Sequence, residues 1–394
     1  MTDKSVVGTA PSRVWGRQPT GDPATRTIGV IAPGYGLERV SYMIPSARRH
    51  YVKLSRLPWH RLERHGTFLA ETVAAVGPRV DLLHTFNQVV ANRPFVVSAE
   101  MELPRYLMNP PAWQRRLGLS LLAADRCRGI WPLSEAARRF VLRRFEAAGH
   151  GDLAAKTTVF RGAVAPVPAG AERHGYPTRG PLRLLFVGGD GLRKGLDPTL
   201  DAAERLRAGG VEVEVTVVGA PASRTYIVPH ATFPTARVEA QLRHPWVTHH
   251  HTLPNPTVRA LMGNHDLFVF PTMDESLGWV PAEAAMSGTP TICTNVFALP
   301  ELVQDGVTGW TIPVELDEDL RWRHIGRADA RNAWEAVQTH LAERLLHIFG
   351  EVAADRALVE RRGRAAQSHI AALYGMDVAA AHLDRLYEEA IACH

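Results

Sequence analysis

The sequence predicts an α/β protein built as two doubly wound parallel sheets in tandem. Three observations carry this. At 394 residues the chain exceeds the roughly 250–300 residues at which a single core stops growing. Short β-rich runs alternate with helical stretches, the pattern of a parallel sheet covered by helices, and the series occurs twice. Between the two lies "GAVAPVPAGAERHGYPTRGP" (162–181), rich in Pro and Gly and without hydrophobic period, as expected of a linker. The reading divides the chain into a loose tail (1–26), a first domain (27–165), a linker (166–181), a second domain (182–375) and a last helix (376–394).

The tail is polar and Pro/Gly-rich and lacks the apolar core of a secretory signal. From Thr27 the first series runs "TIGVIA", a helical "LERVSYMIPSARRHYV", "VDLLHTF", "PFVVSA", "CRGIWPLS" and "TTVFRG". The second runs "LRLLFVGG", "VEVEVTVVGA", "HPWVTHHH", "DLFVFPT", "TPTICT" and "GWTIP". The final pattern, "VAAAHLDRLYEEAIACH", is amphipathic and exceeds what the second sheet needs, so it is expected to reach back to the first domain.

Three cysteines without paired spacing give neither a disulfide framework nor a zinc site and suit a reducing, cytoplasmic compartment. No apolar run approaches the roughly 18 residues of a membrane span. The net charge of +5 conceals an asymmetry, +13 over residues 1–180 against −8 over the remainder. The basic density peaks in "SARRHYVKLSRLPWHRLERH" (Ser46–His65), read as a basic amphipathic segment. Such a segment fits peripheral contact with an anionic membrane face or, equally, a solvated helix face. No helix-turn-helix or aromatic-interleaved strand motif supports nucleic acid as the partner.

Ligands of doubly wound sheets bind beyond the carboxyl ends of the strands, so the loops there are where chemistry is sought. In "LLFVGGDGLRKGLDPTLDAAERL" (Leu184–Leu206) a buried strand runs into Gly188, Gly189 and Gly191, and Arg193 and Lys194 stand where a helix is expected to start. Glycines permit close approach, and the cations and helix end attract phosphate. It is not a Walker A loop. In "FVFPTMDESLGWVPAEAAMSGTP" (Phe268–Pro290) two carboxylates, Asp274 and Glu275, precede a small-residue helix carrying Glu283. Ser276, Leu277 and Gly278 lead into that helix, whose first amides are open to an anion or to sugar hydroxyls. Glu275 and Glu283 are spaced to meet two ends of one ligand about 10 Å long at ~1.5 Å per residue. The plainer alternatives are a buried structural carboxylate and a charge favoured by the helix dipole.

These residues resemble the retaining GT-B glycosyltransferases of glycosyltransferase family 4. "ESLGWVPAE" followed by "AAMSGTP" is similar to the family's E-G-F-G-L-P-x-x-E-A-M-A-x-G-x-P, and "ALPELVQDGVTGWTIP" (298–313) to a second block. "FVGGDGLRKGLD" looks like its strand-loop-helix with an Arg/Lys pair. More weakly, "PGYGLERV" (33–40), "DLLHTF" and "IWPLSEAARRFV" resemble amino-domain motifs.

Carried over residue by residue, the resemblance implies a GT-B fold. It implies that Arg193 and Lys194 hold a donor diphosphate, that Glu283 binds ribose, and that Glu275 with the Ser276–Gly278 backbone engages the transferred sugar. Gly36 and Gly189 would lie beside the donor. Two departures stand out. Many members have an arginine where this chain has Gly189, and a histidine after the amino-domain strand where this chain has Glu100. Glu100, Glu102 and His84 are the acceptor-side candidates.

The implied activity is hexosyl transfer from a nucleoside diphosphate sugar to an acceptor hydroxyl, with retention and without a metal or cofactor. The acceptor is a small molecule, a lipid or a saccharide. His249–His251 alternate across a strand and cannot converge on one ion, and Asp317–Asp319 sits in a polar loop. The competing reading is a non-catalytic sugar-nucleotide-binding protein or partner subunit. A dinucleotide oxidoreductase is disfavoured by Arg39 in place of the third glycine of G-x-G-x-x-G, and a phosphorylase by the want of an evident pyridoxal lysine.

Overall fold

The computed structural model describes residues 25–31, 43–63, 67–106 and 110–392. The chain folds into two compact units. The carboxyl unit is Pro166–Ala372, and the amino unit extends to Ala165 and takes back the segment from Leu373.

The strands of the amino unit are β1 (Arg26–Ile31), β2 (Arg49–Arg56), β3 (Thr72–Val73), β4 (Ala75–Val76), β5 (Leu82–Phe86), β6 (Val89–Val90), β7 (Phe95–Ala99) and β8 (Cys127–Pro132). Six make a sheet in the order β4-β2-β1-β5-β7-β8, parallel except where β2 meets β4, while β3 and β6 pair separately. β5 and β7 are buried along their whole length, which is why they read as unbroken apolar runs rather than alternating ones. After β8 the Ser134 hydroxyl accepts the Ala137 N–H at 3.0 Å and caps the helix Glu135–Ala147, satisfying one of its orphan donors.

Two sequence expectations are corrected in this unit. Over its described residues, 46–63, the basic segment read from Ser46 presents no solvated helix face. Its centre is β2, parallel to β1 from Arg49 opposite Arg26 to Leu54 opposite Ile31, followed by a single 3-10 turn, Pro58–Leu62. Arg49 points inward, its guanidinium paired with Asp384 and bonded at 2.9 Å to both the Ile44 carbonyl and the Tyr51 hydroxyl. "TTVFRG" is not a sheet strand and contributes only a bridge between Ile130 and Thr157.

The helix Met376–Ala392 lies in the amino unit. Asp384 takes Arg49, Glu388 takes Arg26 through two bonds of 2.9 and 2.6 Å, and the Tyr387 ring sits 5.5 Å from that of Trp131. Ring packing on Trp131, the buried Arg49–Asp384 pair and the Arg26–Glu388 pair thus tie the helix to β8, β2 and β1. Among the described residues no helix is long and apolar enough to cross a membrane.

The carboxyl unit holds β9 (Leu182–Gly188), β10 (Val213–Gly219), β11 (Val247–His250), β12 (Leu267–Phe270), β13 (Thr291–Thr294) and β14 (Gly309–Ile312), each arising from one of the six apolar runs of the second series. All neighbours are parallel, in the order β11-β10-β9-β12-β13-β14. The chain order therefore reverses between β9 and β12. In a doubly wound sheet that reversal opens a crevice beyond the strand ends, where consecutive loops diverge to opposite faces. The loops leaving β9 and β12 are the two glycine- and carboxylate-bearing stretches singled out in the sequence.

Candidate functional site

After β9 the chain makes one helical turn, Gly191–Lys194, with the Asp190 carboxylate accepting the Arg193 N–H at 3.2 Å. Gly195 follows at φ +84°, where a Cβ would stand 2.5 Å from the Pro271 ring, and the long helix starts only at Leu196. Arg193 and Lys194 therefore close a tight turn and do not open the long helix as the sequence implied. The left-handed Gly195 separates the two, a conformation that costs other residues energy. Asp197 and Pro198 occupy the first turn of the long helix. A Cβ at Gly188 would press to 2.9 Å of the Lys194 side chain, and one at Gly189 would meet nothing within 4 Å. The loop is tight behind and open in front.

The loop after β12 locks onto this turn. The Met273 N–H donates to the Arg193 carbonyl at 3.0 Å. Arg193 Nη1 donates to the Asp274 carbonyl at 2.5 Å, and Arg193 Nε to the Asp190 carboxylate at 3.3 Å. Lys194 Nζ is paired with the Glu275 carboxylate and stands 4.5 Å from the Phe270 ring centroid. Burial lowers the Lys194 pKa, a trend that Glu275 opposes. Among the described residues Arg193 Nη2 has no acceptor, which leaves it able to grip an anion.

Beneath the loop, Asp274 is 5% exposed. Its two carboxylate oxygens accept Nε and Nη2 of Arg321, both at 3.1 Å, and the Tyr226 hydroxyl donates to one of them. Burial and the neighbouring Asp274 charge raise the Tyr226 pKa, so the phenol stays a donor. Arg321 is delivered by a turn in which Asp317 Oδ1 accepts the N–H groups of Asp319 and Arg321 at 2.9 and 3.0 Å. Asp190, Tyr226 and Arg321 went unremarked in the sequence. Tyr226 and Arg321 lie 48 and 47 residues from Asp274, and no local pattern joins them.

Leu277 and Gly278 are buried and Ser276 is half-buried ahead of the helix Trp279–Met286. Gly278, at φ +97°, caps that helix, and a Cβ there would lie 2.9 Å from Leu299. Ala282, Ala284 and Ala285 are buried against the sheet. Glu283 is held by one amide, Asn255 Nδ2 at 3.3 Å, and burial raises its pKa, partly countered by Asn255 and Arg259. A carboxylate so placed has acceptor capacity to spare.

Arg193, Lys194, Glu275, Ser276, Leu277 and Gly278 are thus brought together at the sheet's reversal point, with Gly189 on the open side of the turn. Glu283 stands further along the same helix. Gly36 lies outside the described residues. Of the acceptor-side candidates, Glu100 accepts Arg105 at 2.7 Å and Asn87 at 3.3 Å, and Glu102 is exposed. His84 is corrected. It is fully buried, with Nδ1 bonded to the Tyr387 hydroxyl at 2.6 Å and Nε2 to the Ser98 hydroxyl at 2.9 Å. Burial, aided by the Arg49 charge, drives its pKa well below the ordinary value. It is a neutral core imidazole with no surface to offer an acceptor. Among the described residues no group of three His, Cys, Asp or Glu is placed to hold a metal ion.

Residues 181–325, which contain the whole of this loop system, match the family model "Glycosyl transferases group 1". The match spans β9 to β14. A glycogen synthase of Mycobacterium tuberculosis is 32% identical over 157 residues, 39% of this chain and 36% of that protein. A D-inositol 3-phosphate glycosyltransferase of an Arthrobacter strain is 30% identical over 160 residues, 40% of this chain and 35% of that protein. The chain thus spans only about a third of the length of these curated relatives.

Among solved structures, Anabaena HepE in complex with UDP superimposes with a TM-score of 0.59 at 14% identity, covering 92% of this chain and 99% of that one. Sucrose-phosphate synthase of Thermosynechococcus elongatus gives 0.55 at 15% identity, covering 94% and 100%. At those identities the likeness is one of fold. The fold is GT-B: two Rossmann-like α/β units in one chain, of which the carboxyl one carries the group 1 segment.

Proposed function

We propose that the chain transfers a hexosyl group from a nucleoside diphosphate sugar to an acceptor hydroxyl, with retention of configuration and without a metal. The carrying observation is the junction of the β9 and β12 loops, where two cations and a carboxylate meet at the sheet's reversal point. Breaking the bond between sugar and diphosphate develops negative charge on the leaving group. Arg193 and Lys194 stand where that charge appears, and a cation already in place lowers the barrier without reorganising. Their two positive charges do for the diphosphate what a divalent ion would do.

Glu275, three residues ahead of the helix cap, is placed to take sugar hydroxyls, and Glu283 is placed to take the ribose. Lys194 and Glu275 are paired with each other, and a donor bound between them separates the pair, the phosphate taking the lysine and the sugar the carboxylate. The family model matched by residues 181–325 and the names of the curated relatives support glycosyl transfer, and the UDP complex of a fold neighbour supports a nucleotide donor. Retention rests on the family resemblance of the 275–290 block.

The test is a panel of nucleoside diphosphate sugars with sugar, polyol and lipid acceptors, product configuration being read by proton NMR. Transfer with retention is expected. Arg193→Ala and Lys194→Ala should each weaken nucleotide binding and cut turnover at least tenfold. Full activity in both variants would refute the clamp. Nucleotide binding with neither transfer nor donor hydrolysis would favour a sensor or partner subunit.

A further inference from the structure

The search for a second site leads to the opposite edge of the same sheet. The segment 171–176 is docked below the amino ends of β9, β12 and β13 on a bed of glycines. A Cβ at Gly263 would stand 2.8 Å from the Ala171 carbonyl, one at Gly288 2.8 Å from the Tyr176 hydroxyl, and one at Gly363 3.0 Å from the same hydroxyl. That hydroxyl donates to the Gly288 carbonyl at 3.1 Å. The segment is therefore seated by shape and not merely draped on the surface.

It positions Arg173, whose Nη2 donates to the His265 carbonyl and, at 2.6 Å, to the Thr289 hydroxyl. Its guanidinium also lies 4.6 Å from the Tyr176 ring centroid. Its partners are all neutral. Among the described residues no carboxylate is paired with Arg173; Asp266, whose charge acts on it, is taken by Arg356 at 2.7 Å and by the Arg183 N–H at 2.8 Å. Burial lowers the Arg173 pKa, with Tyr176 and Asp266 opposing. A half-buried cation with only partial compensation is costly, and an anion offsets the cost.

A cavity of about 420 Å³ opens beside it, lined by Arg173, His174, Tyr176, Arg183 and Asn264 among others, with no carboxylate in its wall. The Arg183 side chain is paired with Glu214 at 3.6 Å. The adjoining cavity of about 270 Å³ shares Arg173 but also contains Glu172 and Arg364, so its lining is less cationic.

We infer that the 420 Å³ cavity binds a small phosphate monoester, its phosphate between Arg173 and Arg183 and its hydroxyl-bearing remainder toward Asn264 and His174. The site is separate from the nucleotide corner. It lies at the amino ends of the strands, where the corner lies at their carboxyl ends, and the two can be filled together.

The test uses the full chain carrying Lys194→Ala, which disarms the other phosphate-binding corner. Inorganic phosphate and glycerol 3-phosphate are titrated by calorimetry at fixed ionic strength, with chloride as the control anion. Saturable binding of one equivalent is expected, glycerol 3-phosphate at least as tight as phosphate. Affinity should fall at least tenfold in Arg183→Gln and stay unchanged in Arg364→Gln, both exposed arginines whose loss the fold tolerates. Absence of saturation, equal affinity in Arg183→Gln, loss in Arg364→Gln alone, or weaker binding of the monoester than of phosphate would each overturn the assignment. None of these outcomes touches the glycosyl-transfer reading.

Discussion

Replacing Arg321 by methionine isolates the ion pair under the candidate site. Both Asp274 carboxylate oxygens bond Arg321 at 3.1 Å, and the Asp274 side chain is 8% exposed against 25% for Arg321. Methionine fills much of the volume but leaves the carboxylate with only the Tyr226 hydroxyl. Losing one partner of a buried pair costs about 3–5 kcal/mol. Because Arg321 is a quarter exposed, water can enter in its place, and about 2–4 kcal/mol is expected. With a urea dependence of roughly 2–3 kcal/mol/M for a unit of this size, the midpoint should drop by about 1 M.

Adding Asp274→Asn to Arg321→Met removes the stranded charge and should recover half or more of the loss. A stability for Arg321→Met within about 0.5 kcal/mol of wild type, the scatter of surface substitutions, would refute the reasoning. So would a double variant less stable than the single one.

Three further outcomes are expected. Glu275→Gln frees Lys194 from its internal counter-ion, so a nucleoside diphosphate without sugar should bind about 3–10-fold tighter, roughly 1 kcal/mol, while transfer falls; looser binding by calorimetry would contradict the pairing. Asp197 is pushed up to about 6 by burial, with Arg237 opposing. A raised carboxylate binds more protons folded than unfolded, so it removes stability as pH rises from about 4 to about 6; Asp197→Asn should flatten thermal stability across that window, and an unchanged slope would refute it. Finally, we propose that membrane contact, if the amino unit makes it, uses exposed Leu62 (81%) and Trp113 (54%) with the exposed Arg61, Arg115 and Arg116, not the buried Arg49. Leu62→Asp with Trp113→Ala should abolish sedimentation with vesicles rich in phosphatidylglycerol, and undiminished sedimentation would retire that surface.

Legibility from sequence tracked how local the determining interactions are. Apart from β11, whose Val-Thr-His-His is part-exposed, the strands of the carboxyl unit were readable because each is a short, largely buried apolar run bounded by glycine, proline or charge. The Arg193–Lys194 and Glu275–Glu283 stretches were readable because each lies within one loop-helix junction. β2 was not. Its Arg49 would be a poor core residue by itself and is acceptable only because Asp384, 335 residues later, meets it. Tyr226 and Arg321 escaped for the same reason, since nothing near either announces a buried carboxylate elsewhere. His84 misled in the opposite sense: a histidine within a buried strand looks functional until Tyr387 and Ser98 are seen to use both of its nitrogens.

The return of residues 376–392 to the amino unit bears on the order of biosynthesis. A ribosome emits the first sheet early, yet the helix that supplies Asp384, Tyr387 and Glu388 to it emerges only after all of Pro166–Ala372. The later-made unit can close while the earlier one still waits with Arg49 lacking its counter-charge. The amino sheet is thus begun before the carboxyl unit and closed after it, and a nascent chain stalled ahead of residue 376 would display it unsealed.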